Sequence, residues 1–224
     1  MMLSEKYRPA TWSDVVGQDA AVKKIREIVA RDGWGKSFWF FIGKSGVGKT
    51  ALANLLALEG ASPEAVDGSY DTPITAGDET SPAFFRAWAK KASQYGWGKG
   101  GRALIINEVH GLPAHSIREL KGFLEGLRSH WCVIFTSTPT EMGGLFENET
   151  EESFPMLSRC QNVVRLCGTK YAPTSDAFVK RAMEIAQAEH LDGRPVESYR
   201  AALDGKAKGS LRELINLVGR KEIY

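Results

Sequence analysis

The chain has 224 residues, of which 43% are hydrophobic and 25% charged, with a formal net charge of +2. That is the make-up of an ordinary globular protein with room for one sizeable core and a smaller unit. No apolar run approaches the roughly 20 residues that cross a bilayer, and the N-terminus lacks a charged-then-apolar leader, so no membrane role is expected and the expected setting is cytoplasmic. Cys132, Cys160 and Cys167 are too few and odd in number for a disulfide framework, and no CxxC pair accompanies the four histidines, so free thiols are expected.

An N-terminal extension carrying Tyr7-Arg8-Pro9 and Gly17-Gln18 leads into an amphipathic helix, about Asp19 to Arg31, ended by Gly33. Ser37 to Ile42 is a continuous apolar run of the kind that forms a strand buried on both faces. The glycine-rich stretch 43–50 comes next, and Ala51 to Leu58 then offers strong helix formers closed by Gly60. Residues 60–82 are rich in Gly, Ser, Pro, Asp and Thr and read as loop, with room for one short strand near Thr72 to Ala76. A helix from about Pro82 to Tyr95 follows. Ala103 to Ile106 is a second buried strand ending in Asn107-Glu108. Ala114 to Arg128 has apolar residues at helical spacing, Trp131 to Thr136 reads as a third strand and Asn162 to Leu166 as a fourth. Beyond Gly168 the pattern turns to helices alone, about Thr174 to His190, Val196 to Leu203 and Ser210 to Val218. Uniformly apolar strands alternating with helices predict an α/β fold, a parallel sheet sandwiched by helices, with a nucleotide-binding domain at 1–168 and a small helical lid at 169–224.

The stretch Gly43-Lys44-Ser45-Gly46-Val47-Gly48-Lys49-Thr50 is a complete phosphate-binding loop set between a strand and a helix. Glycines let the backbone turn tightly and aim N–H groups at phosphate oxygens, and the helix N-terminus adds its positive dipole end. Lys49 is expected on the β- and γ-phosphates and the Thr50 hydroxyl on magnesium, so ATP and Mg2+ are the expected ligands. Hydrolysis needs a second polar strand end, and Asn107-Glu108 stands where side chains of a parallel strand face the ligand. Glu108 fits the water-activating role. Charge is unevenly spread: residues 80–130 hold eight Lys or Arg against three Glu, whereas 141–152 hold five Glu and no base. A basic middle and an acidic stretch suggest one face for a polyanion and another for a protein partner, or a merely solvated surface.

Tyr7-Arg8-Pro9, Val15-Val16-Gly17-Gln18, the phosphate loop, Asn107-Glu108, Leu157-Ser158-Arg159-Cys160-Gln161 and Gly209-Ser210-Leu211-Arg212 occur in the order found in clamp-loader ATPases. The chain therefore resembles the replication factor C small subunits and their phage and bacterial counterparts, within the AAA+ superfamily of P-loop NTPases. The resemblance implies that Tyr7, Arg8, Val16 and Gly17 border the adenine and that Ser137 or Thr138 acts as the first sensor of the γ-phosphate. It further implies that Arg159 reaches a neighbouring subunit's nucleotide and that Arg212 is a second sensor carried by the lid. From the residues alone, Arg159 reads equally as a partner for the acidic stretch, and Arg212 as an exposed position on an amphipathic helix. Lys90, Lys91, Arg118 and Lys121 are candidates for tracking a nucleic-acid backbone. His110 and His115 read as surface residues or supports behind the site.

The pattern departs from the family in three places. Asn107 replaces the expected acid, which implies weaker metal binding and slow turnover. Ser137-Thr138 replaces the common Asn. The sequence stops directly after the lid, without the helical collar that joins clamp-loader subunits, so assembly is expected to rely on the ATPase interfaces, DNA or another protein. The expected function is that of a DNA-associated clamp-loader-like ATPase working in a ring of neighbouring AAA+ subunits, with a sliding clamp or other replication protein as partner. The alternative is a nucleotide-dependent assembly switch that hydrolyses little.

Overall fold

A computed structural model of the protein describes residues 2–77, 80–91, 94–96, 98–112, 114–138 and 162–223. In chain order the elements are α1 (Leu3–Lys6), α2 (Asp19–Asp32), β1 (Ser37–Ile42), α3 (Lys49–Gly60), β2 (Ala61–Asp67), α4 (Pro82–Lys91), β3 (Gly101–Ile106), α5 (Ala114–Glu125), β4 (Trp131–Ser137), β5 (Asn162–Arg165), α6 (Ala172–Ala188), α7 (Val196–Asp204) and α8 (Leu211–Gly219). The five strands form one sheet in the order β2-β3-β4-β1-β5, and the β1–β4, β3–β4 and β2–β3 pairs are parallel. Strands that are neighbours in space but not in sequence require crossovers, which the intervening helices supply.

By their internal contacts the residues divide into two units, one comprising Met1–Lys23, Gly43–Leu52 and Arg165–Tyr224 and the other Lys24–Ile42 and Ala53–Val164. The second unit holds most of the sheet. Its central strands β1, β3 and β4 are mainly apolar because both faces are covered: Trp39, Phe41, Ile105 and Ile134 on one face and Phe40, Leu104, Val133 and Phe135 on the other are all fully buried. On the Phe40 face, Phe85 and Trp88 of α4 and Leu120, Phe123 and Leu124 of α5 complete the core. Trp131 meets Trp88 and Phe123 edge-on, with ring centroids 5.5 and 6.0 Å apart, an arrangement that aromatic quadrupoles favour over stacking. Each such side chain contributes ~1.5–3 kcal/mol by leaving water.

The expectation of loop at 60–82 is corrected by β2. Ala61, Ala65 and Val66 are its buried residues, whereas Pro63 and Glu64 are exposed. The register with β3 breaks between Ala61 and Val66. A strand at the sheet edge tolerates a proline and a bulge, and that composition disguises it as loop. The short strand looked for near Thr72 to Ala76 is a single parallel bridge between Thr75 and Asn107.

In the first unit, α6, α7 and α8 pack on one another through Phe178, Ile185, Tyr199, Leu203, Leu214 and Leu217. Ser210 caps α8 by accepting from the Glu213 N–H at 3.2 Å. The N-terminal α1 docks on α8, where Gly219 leaves room for Leu3: a Cβ there would lie 3.1 Å from Leu3 Cγ.

Candidate nucleotide site

The phosphate loop follows β1 in the chain, and its geometry is that of a cradle. Gly46 and Gly48 hold φ of 74° and 109°, which side-chain-bearing residues rarely adopt. The buried Lys49 ammonium donates to the Gly43 carbonyl at 2.8 Å and the Lys44 carbonyl at 3.2 Å. Lys44 and Ser45 are exposed, Val47 is buried, and Thr50 is half-buried in the first turn of α3. Positive charge and a helix start thus converge on one turn of backbone.

That turn is fastened from two sides. Gln18, 1% exposed, donates through Nε2 to the carbonyls of Val47 (3.3 Å) and Cys167 (3.0 Å) and accepts from the Cys167 N–H (2.8 Å). Gly17, at φ 69°, gives its carbonyl to the Thr174 hydroxyl at 2.9 Å, and a Cβ on it would come within 3.2 Å of Phe178 and Thr174. On the other side, α8 begins against the loop: the Arg212 N–H donates to Gly46 O at 3.3 Å, and a Cβ on Gly46 would lie 1.8 Å from Ser210 Oγ. The Arg212 side chain is exposed. Among the residues expected near the adenine, Val16 is half-buried, and Arg8 pairs with Glu5 at 3.8 Å. The Tyr7 hydroxyl donates to Glu189 Oε1 at 2.5 Å beside Lys6 Nζ at 2.6 Å. That hydrogen bond to Glu189 raises the Tyr7 phenol above its usual range, and the hydrogen bonds from Lys6 and Tyr7 hold the Glu189 carboxyl below its own.

The polar strand ends belong to the other unit. Asn107 and Glu108 follow β3, and Thr136, Ser137 and Thr138, three consecutive hydroxyls at and just beyond the end of β4, meet them and the nearby His110. Thr136, fully buried, accepts from the Glu108 N–H (3.3 Å) and donates to Asn107 Oδ1 (3.2 Å). Ser137 Oγ lies 2.9 Å from His110 Nδ1, and Thr138 Oγ1 donates to Glu108 Oε2 at 3.2 Å. Asn107 is 9% exposed, and its Nδ2 donates to Ile74 O at 3.4 Å. The two-sided amide therefore joins the 74–76 segment to Thr136, a role that a carboxylate, which only accepts, would not fill. Glu108 sits at φ 50°, ψ 48°, and a non-glycine residue held there costs ~1–3 kcal/mol. The Thr136 bond and the turn closed by the Gly111 N–H on Glu108 O at 2.9 Å hold it.

Of the residues expected from the sequence, Gly17, the loop residues, Lys49, Thr50 and the Arg212 backbone fall in the first unit, and Asn107, Glu108, Ser137 and Thr138 cluster in the second. Arg159, its flanking motif and the acidic stretch 141–152 lie outside the described residues. Gln18, although part of the quoted Gly17-Gln18 pair, and Thr136 were given no role of their own; a glutamine beside the Gly17 turn and a hydroxyl inside an apolar strand are the signals that could have found them, and His110, read as a surface residue or a support behind the site, lies beside Ser137. Thr50 and Asn107 offer neutral oxygens, and among the described residues no group of three or more His, Cys, Asp or Glu could hold a metal. A neutral hydroxyl such as that of Thr50 suits magnesium, which keeps its waters and binds largely through substrate phosphates. Lys90, Lys91 and Arg118 are exposed and Lys121 is half-buried on α4 and α5, which Arg86 and Glu119 join at 3.3 Å.

No family model matches the chain. It is 37% identical over 115 residues to the replication factor C large subunit of Methanocella arvoryzae, covering 48% of this chain and 19% of that protein. It is 26% identical to replication factor C subunit 4 of Saccharomyces cerevisiae, over 95% of this chain and 60% of that one. The gamma/tau subunit of DNA polymerase III of Mycoplasma pneumoniae is 24% identical over 97% of this chain and 32% of its own length. The chain thus spans 60% or less of the length of these relatives. Structures of RuvB variants from Thermotoga maritima superimpose with TM-scores of 0.65 and 0.67 over 96% of this chain and 64 and 65% of theirs, at 17 and 18% identity. The fold is that of an AAA+ P-loop NTPase, and in sequence the chain resembles clamp-loader ATPases.

Proposed function

We propose that the chain is the ATP-binding and ATP-hydrolysing module of a clamp-loader-like AAA+ protein that acts on DNA or a DNA-bound partner. The observation that carries the reading is the glycine cradle around Lys49, fastened by Gln18 and met by the start of α8. Lys49 binds the β- and γ-phosphates and Thr50 and Asn107 hold the magnesium shell; magnesium, when bound, neutralises charge on those phosphates. Glu108 takes a proton from the attacking water, and Thr138, bonded to its carboxylate, is the sensor. Arg212 is the second sensor, a cation that the helical lid at 169–224 brings to the nucleotide. Arg159 acts on the nucleotide of a neighbouring subunit, where its guanidinium forks onto phosphoryl charge and makes hydrolysis depend on assembly. The basic residues of α4 and α5 suit a nucleic-acid backbone. No helix among the described residues is long and apolar enough to cross a membrane.

The test is ATP turnover with and without primed DNA for the wild type, Glu108→Gln and Arg159→Ala. Both variants are expected to bind ATP and to lose at least tenfold in rate, because a positioned base or an arginine finger supplies orders of magnitude. Turnover equal to wild type in both would sink the assignment. A second reading, an assembly switch with little hydrolysis, is favoured by the engagement of Asn107 with Ile74 and Thr136. Light scattering in ATP and ADP separates the two: an ATP-dependent assembly without turnover on DNA supports the switch.

A further inference from the structure

We infer that His110 is a positioning residue whose imidazole, pinned to Ser137, orients the Glu108 carboxylate; this rests on the reading of Glu108 as the base. A single residue, Val109, separates the two in sequence, and the turn over Val109–Gly111 folds one back over the other. Val109, 1% exposed, anchors that turn in the core, and the N–H groups of Gly111 and Leu112 close it on the carbonyls of Glu108 and Val109 at 2.9 and 3.1 Å. The His110 side chain is consequently only 17% exposed, with Nδ1 2.9 Å from Ser137 Oγ and 3.5 Å from Glu108 Oε2. Thr138 donates to that same Oε2 at 3.2 Å. Adjacent hydroxyls at the end of β4 and just after it therefore reach the carboxylate by two routes, Thr138 directly and Ser137 through the imidazole.

The chemistry selects a tautomer. An ionised carboxylate only accepts, and a hydroxyl accepts as readily as it donates. A proton on Nδ1 bonds the Ser137 hydroxyl and turns a positive end towards Oε2 across 3.5 Å, whereas a bare Nδ1 would set a lone pair against Oε2. Nδ1–H is thus the form that holds Glu108, and the neighbouring oxygens dictate it. Glu108 sits in left-handed backbone, so its side chain leaves the strand in a direction that an ordinary strand residue would not take. The Thr138 and His110 contacts give that carboxylate a defined orientation, and orientation decides how well a base meets its water.

Two measurements on the full chain test the inference. Nitrogen-15 NMR of the histidine-labelled, nucleotide-free wild type is expected to show His110 protonated at Nδ1; an unprotonated Nδ1 overturns the proposal whatever the turnover. In kinetics, His110→Ala is expected to lower kcat roughly tenfold, a fraction of what a general base contributes, with KM for ATP within about twofold. His110→Asn, whose amide can reach the place of Nδ1, is expected to recover most of the rate, and His110→Ala added to Glu108→Gln is expected to cost nothing further. A KM effect as large as the kcat effect, no recovery by Asn, or an undiminished effect in Glu108→Gln each refutes it. If Glu108→Gln turns over at the wild-type rate, the reading of Glu108 as base fails, and the NMR result still decides the tautomer geometry.

Discussion

Replacing Gln18 with leucine tests whether the buried carboxamide holds the phosphate loop in place. Leucine has nearly the same volume and suits a site 1% exposed, so the perturbation is the loss of hydrogen bonds and not a cavity. Three bonds go: Nε2 to Val47 O and to Cys167 O, and the Cys167 N–H to Oε1. A net ~1 kcal/mol per bond, with the stranded Cys167 donor at the upper end of the range, amounts to about 3 kcal/mol. For a chain of this size that is a fall in Tm of roughly 6–12 °C. The Val47 carbonyl lies inside the loop, so ATP affinity should fall as well, and ATP should raise the variant's Tm less than the wild type's. Differential scanning fluorimetry with and without ATP reads both quantities. A Tm within about 2 °C of wild type, with an undiminished response to ATP, would show that the carboxamide does not hold the loop.

Gly46→Ala puts a Cβ 1.8 Å from Ser210 Oγ at φ 74°, so ATP affinity by fluorescent-nucleotide titration should fall at least tenfold; Ser210→Gly should restore only the steric part, leaving about 1–2 kcal/mol of backbone strain. Asn107→Asp removes the donor to Ile74 O and supplies a carboxylate, so thermal melts should show a loss of about 1 kcal/mol while the Mg2+ concentration for half-maximal turnover falls. Burial pushes the Cys132 thiol from 9.0 up to about 12 against a smaller opposing effect of the Ser37 hydroxyl. The native state thus keeps a proton that the unfolded chain releases, and stability present below about pH 9 is lost as pH rises towards 12. Urea unfolding at pH 7 and 10.5 should differ by ~2 kcal/mol more in the wild type than in Cys132→Ala.

The sheet was legible because strands buried on both faces leave uninterrupted apolar runs, and β1 occupies Ser37–Ile42 as read. The helices α2, α7 and α8 begin or end within a residue or two of their predicted bounds, where glycines and Ser210 punctuate the chain. The edge strand β2 escaped because Pro63 and a register break make it look like loop. In the site, the Lys49 loop announces itself, since residues with contiguous roles must lie at fixed spacing. Gln18, by contrast, acts on Cys167, 149 positions away.

What the amino-acid order alone determined is whatever depends on neighbours in the chain: the cradle, the apolar strands, the caps and the polar end Asn107-Glu108. The tertiary structure decided what those polar groups do. Strand pairing in register sets Ile106 beside Phe135, and Thr136, Ser137 and Thr138 come after it, so the hydroxyls meet Asn107, His110 and Glu108. Hydrogen bonds reach only about 3 Å, and which polar atoms come that close is a property of packing and register. Spacing left Ser137 and Thr138 equivalent as candidates for the first sensor, and it is the fold that brings the hydroxyl of Thr138 to the Glu108 carboxylate and that of Ser137 to His110.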